Sequence, residues 1–196
     1  MKVYNDFSDS RFGGGCAYCG GDEETRDHFP ARTFLSKPYP ENLQVVPSCY
    51  RCNNLSSKDE GYLAHILKNF GKEKGLPIDV DDIRIRRLIQ KYATAHYKYE
   101  LGAAAYSGQP QRINCAFANQ MTDGDFEHFE QVISNPLWPE IGSRLFQRSL
   151  TNEDGWIIVQ KDNYRYYVHE GIDMVLVRMV FCELLFCQAI WHEEDE

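Results

Sequence analysis

The chain has 196 residues, 43% hydrophobic and 13% aromatic, which excludes a disordered polymer and leaves one sizeable domain or a small module with a companion. Its formal net charge of −8 excludes a uniformly basic surface, yet residues 61–120 hold nine Lys/Arg against five Asp/Glu, so a local basic path remains open. No charged leader with an apolar core opens the sequence, and Arg178 and Glu183 interrupt the one long apolar run, so a cytoplasmic protein without a membrane span is expected.

In chain order, residues 1–15 end in Gly13-Gly14-Gly15 and read as an arm or short strand. Cys16-Ala17-Tyr18-Cys19 and Cys49-Tyr50-Arg51-Cys52 are two Cys-x-x-Cys turns about 30 residues apart. Each turn puts two thiolates on one side of a tight bend, and two turns make the closed tetrahedron of a structural zinc site. Cys115, Cys182 and Cys187 lie in apolar segments and read as small core residues in a reducing compartment.

Between the knuckles, residues 25–29 have strand character and Pro30 ends it. Pro38, Pro40 and Asn42 mark a loop, followed by a second short strand over residues 43–46. The second knuckle leads into a helix whose apolar face is Tyr62, Leu63, Ile66, Leu67 and Phe70. Gly71 and Gly75-Leu76-Pro77 close this unit, which puts a boundary near residue 75 and divides the chain into 1–75 and 76–196.

A long helix is predicted over residues 79–100, with Asp79, Asp81 and Asp82 at its positive end and Ile85, Leu88, Ile89, Tyr92 and Tyr99 on one face. Beside that face run Arg84, Arg87, Lys91 and Lys98, either a solvated face or a ridge that tracks a phosphate backbone. Residues 112–117 alternate as a strand, and Thr122 caps a helix over 123–134 that Asn135-Pro136 stops. Residues 156–160 and 164–168 form a hairpin through Lys161-Asp162-Asn163. Residues 174–191 supply a strand and then either another strand or a closing helix, so the fold class is α+β.

A plain zinc ribbon has no use for Asp27-His28, Asn42 and Asn53. Together they offer a hard oxygen ligand, an imidazole base and amides, the parts of a magnesium-assisted hydrolase. Their order and spacing between the knuckles, over residues 12–62, resemble the zinc-knuckle form of the His-Asn-His (HNH, or ββα-metal) endonucleases.

That resemblance implies an N-terminal zinc-stabilised ββα-metal, treble-clef-like module, followed by a helical segment and a C-terminal antiparallel β-rich region. It implies His28 as general base, Asp27 and Asn53 as holders of a catalytic Mg or Mn ion, and Asn42 as the loop residue that fixes the backbone around the base. Cys16, Cys19, Cys49 and Cys52 match the family's zinc ligands. Its last motif position is often histidine and is Asn53 here, with Asn54 as the neighbouring alternative. Arg26, Arg32 and Lys58, together with Arg84, Arg87 and Lys91, are the candidate phosphate contacts. The implied partner is DNA, with RNA also open; a homodimer would complete a double-strand cut, and a defence-system partner protein, as in phage defence, is the other partner left open. The competing reading is a zinc scaffold that binds nucleic acid or protein without catalysis.

Overall fold

The computed structural model describes residues 15–41, 43–70, 79–101, 108–131, 155–171 and 173–192. Asn42, the arm before residue 15, the expected boundary near residue 75 and Asn135-Pro136 lie outside the described residues. Among the described residues are three α-helices, α1 (Tyr50–Asn69), α2 (Ile83–Leu101) and α3 (Asp123–Glu130), with two antiparallel sheets. One sheet is the hairpin β1 (Thr25–His28) and β2 (Val45–Ser48). The other has the spatial order β3-β7-β6-β5-β4, formed by β3 (Arg112–Phe117), β4 (Ile157–Gln160), β5 (Tyr164–Glu170), β6 (Met174–Phe181) and β7 (Leu185–His192). None of the described helices is long and apolar enough to cross a membrane.

Several boundaries differ from the sequence expectation for local reasons. The second strand starts at Val45, opposite His28, and runs through Pro47, whose carbonyl accepts the Ala17 N–H at 2.9 Å. A two-stranded sheet has only edge strands, where a missing proline N–H is tolerated. Helix α2 starts at Ile83 because Asp82 caps it: the Asp82 carboxylate accepts the Arg84 N–H at 2.8 Å and its carbonyl accepts the Arg86 N–H at 3.0 Å. Helix α3 stops at Glu130, four residues early. There the buried Arg178 guanidinium donates to the carbonyls of Phe129 and Gln131, each at 2.7 Å, and takes up the acceptors of the helix end.

The run from Met174 resolves into two strands. Cys182 and Glu183 both have positive φ, 54° and 52°, and the Leu184 N–H donates back to the Phe181 carbonyl at 2.9 Å. Positive φ at both of these residues gives the turn a twist that suits a hairpin, and three residues, 182–184, separate the paired Phe181 and Leu185. Strands β6 and β7 are covered on both faces, so their sequence lacks the polar alternation that would have marked them as strands.

Helix α2 is the middle layer. Toward the five-stranded sheet, Tyr92 stacks on Phe181, His96 on Tyr166 and Tyr97 on Trp191. Toward the hairpin, Phe29 meets His96 and Tyr99 edge-on, at 5.0 and 5.4 Å between centroids. The far face of the sheet, carrying Trp156, Tyr167, Val180 and Phe186, receives Phe126 and Phe129 of α3. One apolar core therefore runs from Phe29 and Leu63 through α2 to Phe181, across the expected boundary. Ser36 and Gln160 add a reciprocal bond pair, 2.7 and 2.9 Å, between the N-terminal loop and the β4–β5 hairpin.

Buried polar groups fix the same interface. Tyr166 Oη donates to Glu100 at 2.7 Å and accepts from the Gln44 amide, while His96 Nε2 pairs with Tyr164 Oη at 2.6 Å. Complete burial pushes the His96 pKa well below its ordinary value. The unfolded chain then binds the proton that the folded chain refuses, so stability is full above about pH 6.5 and falls as the pH drops below it, by about 1.4 kcal/mol per pH unit. Urea midpoints of zinc-saturated protein should fall between pH 7 and pH 5, and His96→Phe should flatten that slope by about one proton. An equally steep slope in the variant would assign the acid sensitivity elsewhere.

Candidate functional site

The first knuckle closes through the Cys16 N–H to the Gly21 carbonyl at 2.6 Å and the Gly20 N–H to the Cys16 carbonyl at 2.9 Å. Gly20 takes φ +74°, a conformation that side chains resist. The second knuckle is the start of α1 itself: Cys49 is the N-cap, and its Sγ accepts the Cys52 N–H at 3.4 Å. The four sulfurs of Cys16, Cys19, Cys49 and Cys52 all lie within 4.8 Å of one another, with Cys19 and Cys49 3.8 Å apart.

A disulfide needs sulfurs about 2.05 Å apart, whereas four Zn–S bonds of about 2.3 Å give tetrahedral edges of about 3.8 Å. All seven cysteines are free thiols. Burial raises the Cys16 thiol, but hydrogen bonds from the backbone at Cys49, Tyr18 and Cys19 outweigh it and bring the pKa to about 6. Burial, with the neighbouring sulfurs, pushes the Cys52 thiol up. A cation among four sulfurs this close would hold all of them as thiolates. The cysteines are positioned to hold a metal ion such as zinc.

Asp27 and His28 are consecutive on β1, so the pleat sends their side chains to opposite faces. Asp27 turns inward and is 6% exposed. Its carboxylate accepts from Tyr18 Oη at 3.0 Å and pairs with the Lys91 ammonium at 2.6 Å. The same ammonium bonds Ser56 Oγ and lies 3.3 Å from the Glu60 carboxylate, which also accepts from Tyr92 Oη at 3.2 Å. Tyr92 Oη in turn accepts the Ala31 N–H at 2.9 Å, which ties the loop after His28 to the cluster. Burial raises the Glu60 pKa, Lys91 opposes that shift and Asp27 reinforces it.

His28 is half-buried, and its Nε2 lies 3.2 Å from Arg32 Nη2. A guanidinium only donates, so Nε2 offers its lone pair and the neutral ring carries its proton on Nδ1. Burial, then the Arg32 charge, lower the His28 pKa, while Asp27 works the other way. The Asn53 amide reaches Thr25 Oγ1 and the Arg26 carbonyl, both at 3.5 Å, and so lies against β1. Asn54 and Lys58 are exposed on α1, and Arg26 pairs with Glu23 at 3.3 Å.

The basic line of α2 faces the N-terminal elements. Arg84 binds Asp82 and lies 3.4 Å over the Tyr62 ring, Arg87 holds Asp59 through two bonds of 2.7 and 2.8 Å, and Lys98 donates to the Ala17 carbonyl at 2.6 Å. With Lys91 they join α2 to the knuckle and α1. Between the helices a groove of about 200 Å³ is lined by Tyr18, Cys52, Ser56, Asp59, Arg87 and Lys91, with Leu55 at its rim.

Sequence reasoning missed Tyr18, Ser56 and Glu60. For Ser56 and Glu60 the signal was there: with Asn53 they recur at i, i+3 and i+7, a polar stripe on α1 beside its apolar one. Compared with protein-family models, curated proteins and solved structures, the chain matches none.

Cys52→Ser should reduce bound zinc from one per chain to a small fraction and lower the thermal midpoint, read by metal analysis and circular dichroism. One retained zinc per chain would remove the four-sulfur assignment.

Proposed function

We propose that the chain is a divalent-metal-dependent endonuclease of the HNH type that hydrolyses DNA phosphodiester bonds. The observation that carries this reading is the convergence of Asn53 of α1 on the strand that bears Asp27-His28, beside a four-cysteine cluster that joins hairpin and helix. In this reading β1, β2 and α1 form the ββα-metal, treble-clef-like module, zinc is its structural ion, and Asp27 and Asn53 hold the catalytic Mg or Mn. The remaining elements supply specificity or a partner surface, and the free thiols fit a reducing cytoplasm.

When bound, the catalytic ion polarises the phosphate and neutralises the leaving 3′-oxygen. His28, kept neutral by burial and by Arg32, takes a proton from the attacking water. The lone pair it needs is the one that Arg32 caps, so the guanidinium swings from Nε2 to a phosphate oxygen as substrate enters. Arg26 and Lys58 flank the strand and helix as further phosphate contacts. Asn42 lies outside the described residues, and in this reading it is the loop residue that fixes the backbone around the base.

One observation favours the second reading, a zinc scaffold that binds nucleic acid or protein without cutting: the Asp27 carboxylate is already paired with an ammonium. Plasmid nicking by zinc-loaded protein with added Mn²⁺ or Mg²⁺ separates the two. His28→Ala should slow nicking by about 10²–10⁴-fold while zinc content and the circular dichroism spectrum are kept. Equal nicking by both proteins, or none by the parent chain, would leave the scaffold.

A further inference from the structure

The cluster around Lys91 is built for a cation, and α2 supplies that cation from outside the segment that resembles a nuclease. The Lys91 side chain is 10% exposed, and all three directions of its ammonium are used, toward Asp27, Ser56 and Glu60. Two tyrosines, Tyr18 and Tyr92, each donate to one of the two carboxylates. Hard oxygens converging on one point are what a divalent ion requires, and an ammonium meets the same demand with one charge fewer. By formal count Asp27 and Glu60 bring two negative charges and Lys91 one positive, whereas a doubly charged ion would match both carboxylates.

The groove between α1 and α2 is a second, independent observation. Lys91 lines it, together with Ser56 and Asp59, so the ammonium has a way out to solvent and a carboxylate beside that way. The Lys91 stem can turn about its own bonds into this space while α2 stays in place.

We propose that Lys91 is a tethered cation that holds the Asp27–Glu60 pair against divalent metal, and that a divalent ion enters by displacing its ammonium into the α1–α2 groove. Glu60 and Ser56 thereby join Asp27 as oxygen donors to the entering ion. This rests on the nuclease reading only for its consequence in catalysis, where Lys91 sets the metal concentration at which the enzyme turns on.

Two measurements on the zinc-loaded full chain test it without turnover. In calorimetric titration with Mn²⁺, Lys91→Met should bind at least tenfold more tightly than the parent, and adding Asp27→Asn should abolish that gain. Equal affinity in parent and variant, or a gain that survives Asp27→Asn, overturns the proposal.

The second measurement needs no variant and so stands even if Lys91→Met fails to fold. Acetic anhydride labelling of the parent chain, read by peptide mass spectrometry, should modify Lys91 several times faster with Mn²⁺ present, with Lys98 as the unchanged internal reference. Labelling of Lys91 that ignores Mn²⁺ overturns the proposal. The two readings fail separately: tighter Mn²⁺ binding without nicking removes the nuclease and keeps the gate, whereas Mn²⁺-dependent nicking with unchanged Lys91 labelling removes the gate and keeps the nuclease.

Discussion

The ammonium of Lys91 sits in the interior among two carboxylates and a hydroxyl, and the cluster draws on three separate elements of the chain. Asp27 arrives on β1, Ser56 and Glu60 on α1, and Lys91 on α2. A buried charge that loses its partner costs about 3–5 kcal/mol, a large share of the 5–15 kcal/mol that separates a folded domain from its unfolded ensemble. The three elements are therefore held in one register. Arg84 over Tyr62, Arg87 on Asp59 and Lys98 on the Ala17 carbonyl repeat the same docking along α2. A line of bases that reads as a nucleic-acid track is thus also an internal seam.

The hairpin needs that seam. Two four-residue strands are too short to persist in water by themselves. The four sulfurs secure one end of it, where the first knuckle and the start of α1 meet. The other end is secured by α2, through Phe29 packed on His96 and Tyr99 and through Tyr92 bound to the Ala31 N–H. Between these two anchors the strand pleat separates Asp27, turned into the charged interior, from His28, turned toward Arg32. Neighbouring residues thereby acquire different chemistry: a carboxylate committed to a cation and an imidazole kept neutral.

The sheet and α3 act at a distance. The far face of the sheet takes α3 through Phe126 and Phe129, and the buried Arg178 closes that helix end. The near face gives α2 an apolar bed, and α2 in turn carries Lys91 to the cluster.

The sequence alone carried whatever depends on neighbours a few residues apart. The paired cysteines located the four-sulfur cluster, the apolar recurrence of Ile85, Leu88, Ile89 and Tyr92 located the buried face of α2, strand β3 was read at its observed limits, and Thr122 marked the start of α3. Each is local, since a turn, a cap or a helical stripe is set by backbone geometry over one or two turns. Tertiary structure decided what depends on distant partners. The run from Met174 left strand or helix open because both its faces are covered, by α2 on one side and α3 on the other, so no polar alternation marks its two strands. Asp27 met Lys91 in place of solvent because α2 folds back over α1, and a charge takes its role from what lies within a few ångströms in space, a distance that sequence separation does not encode.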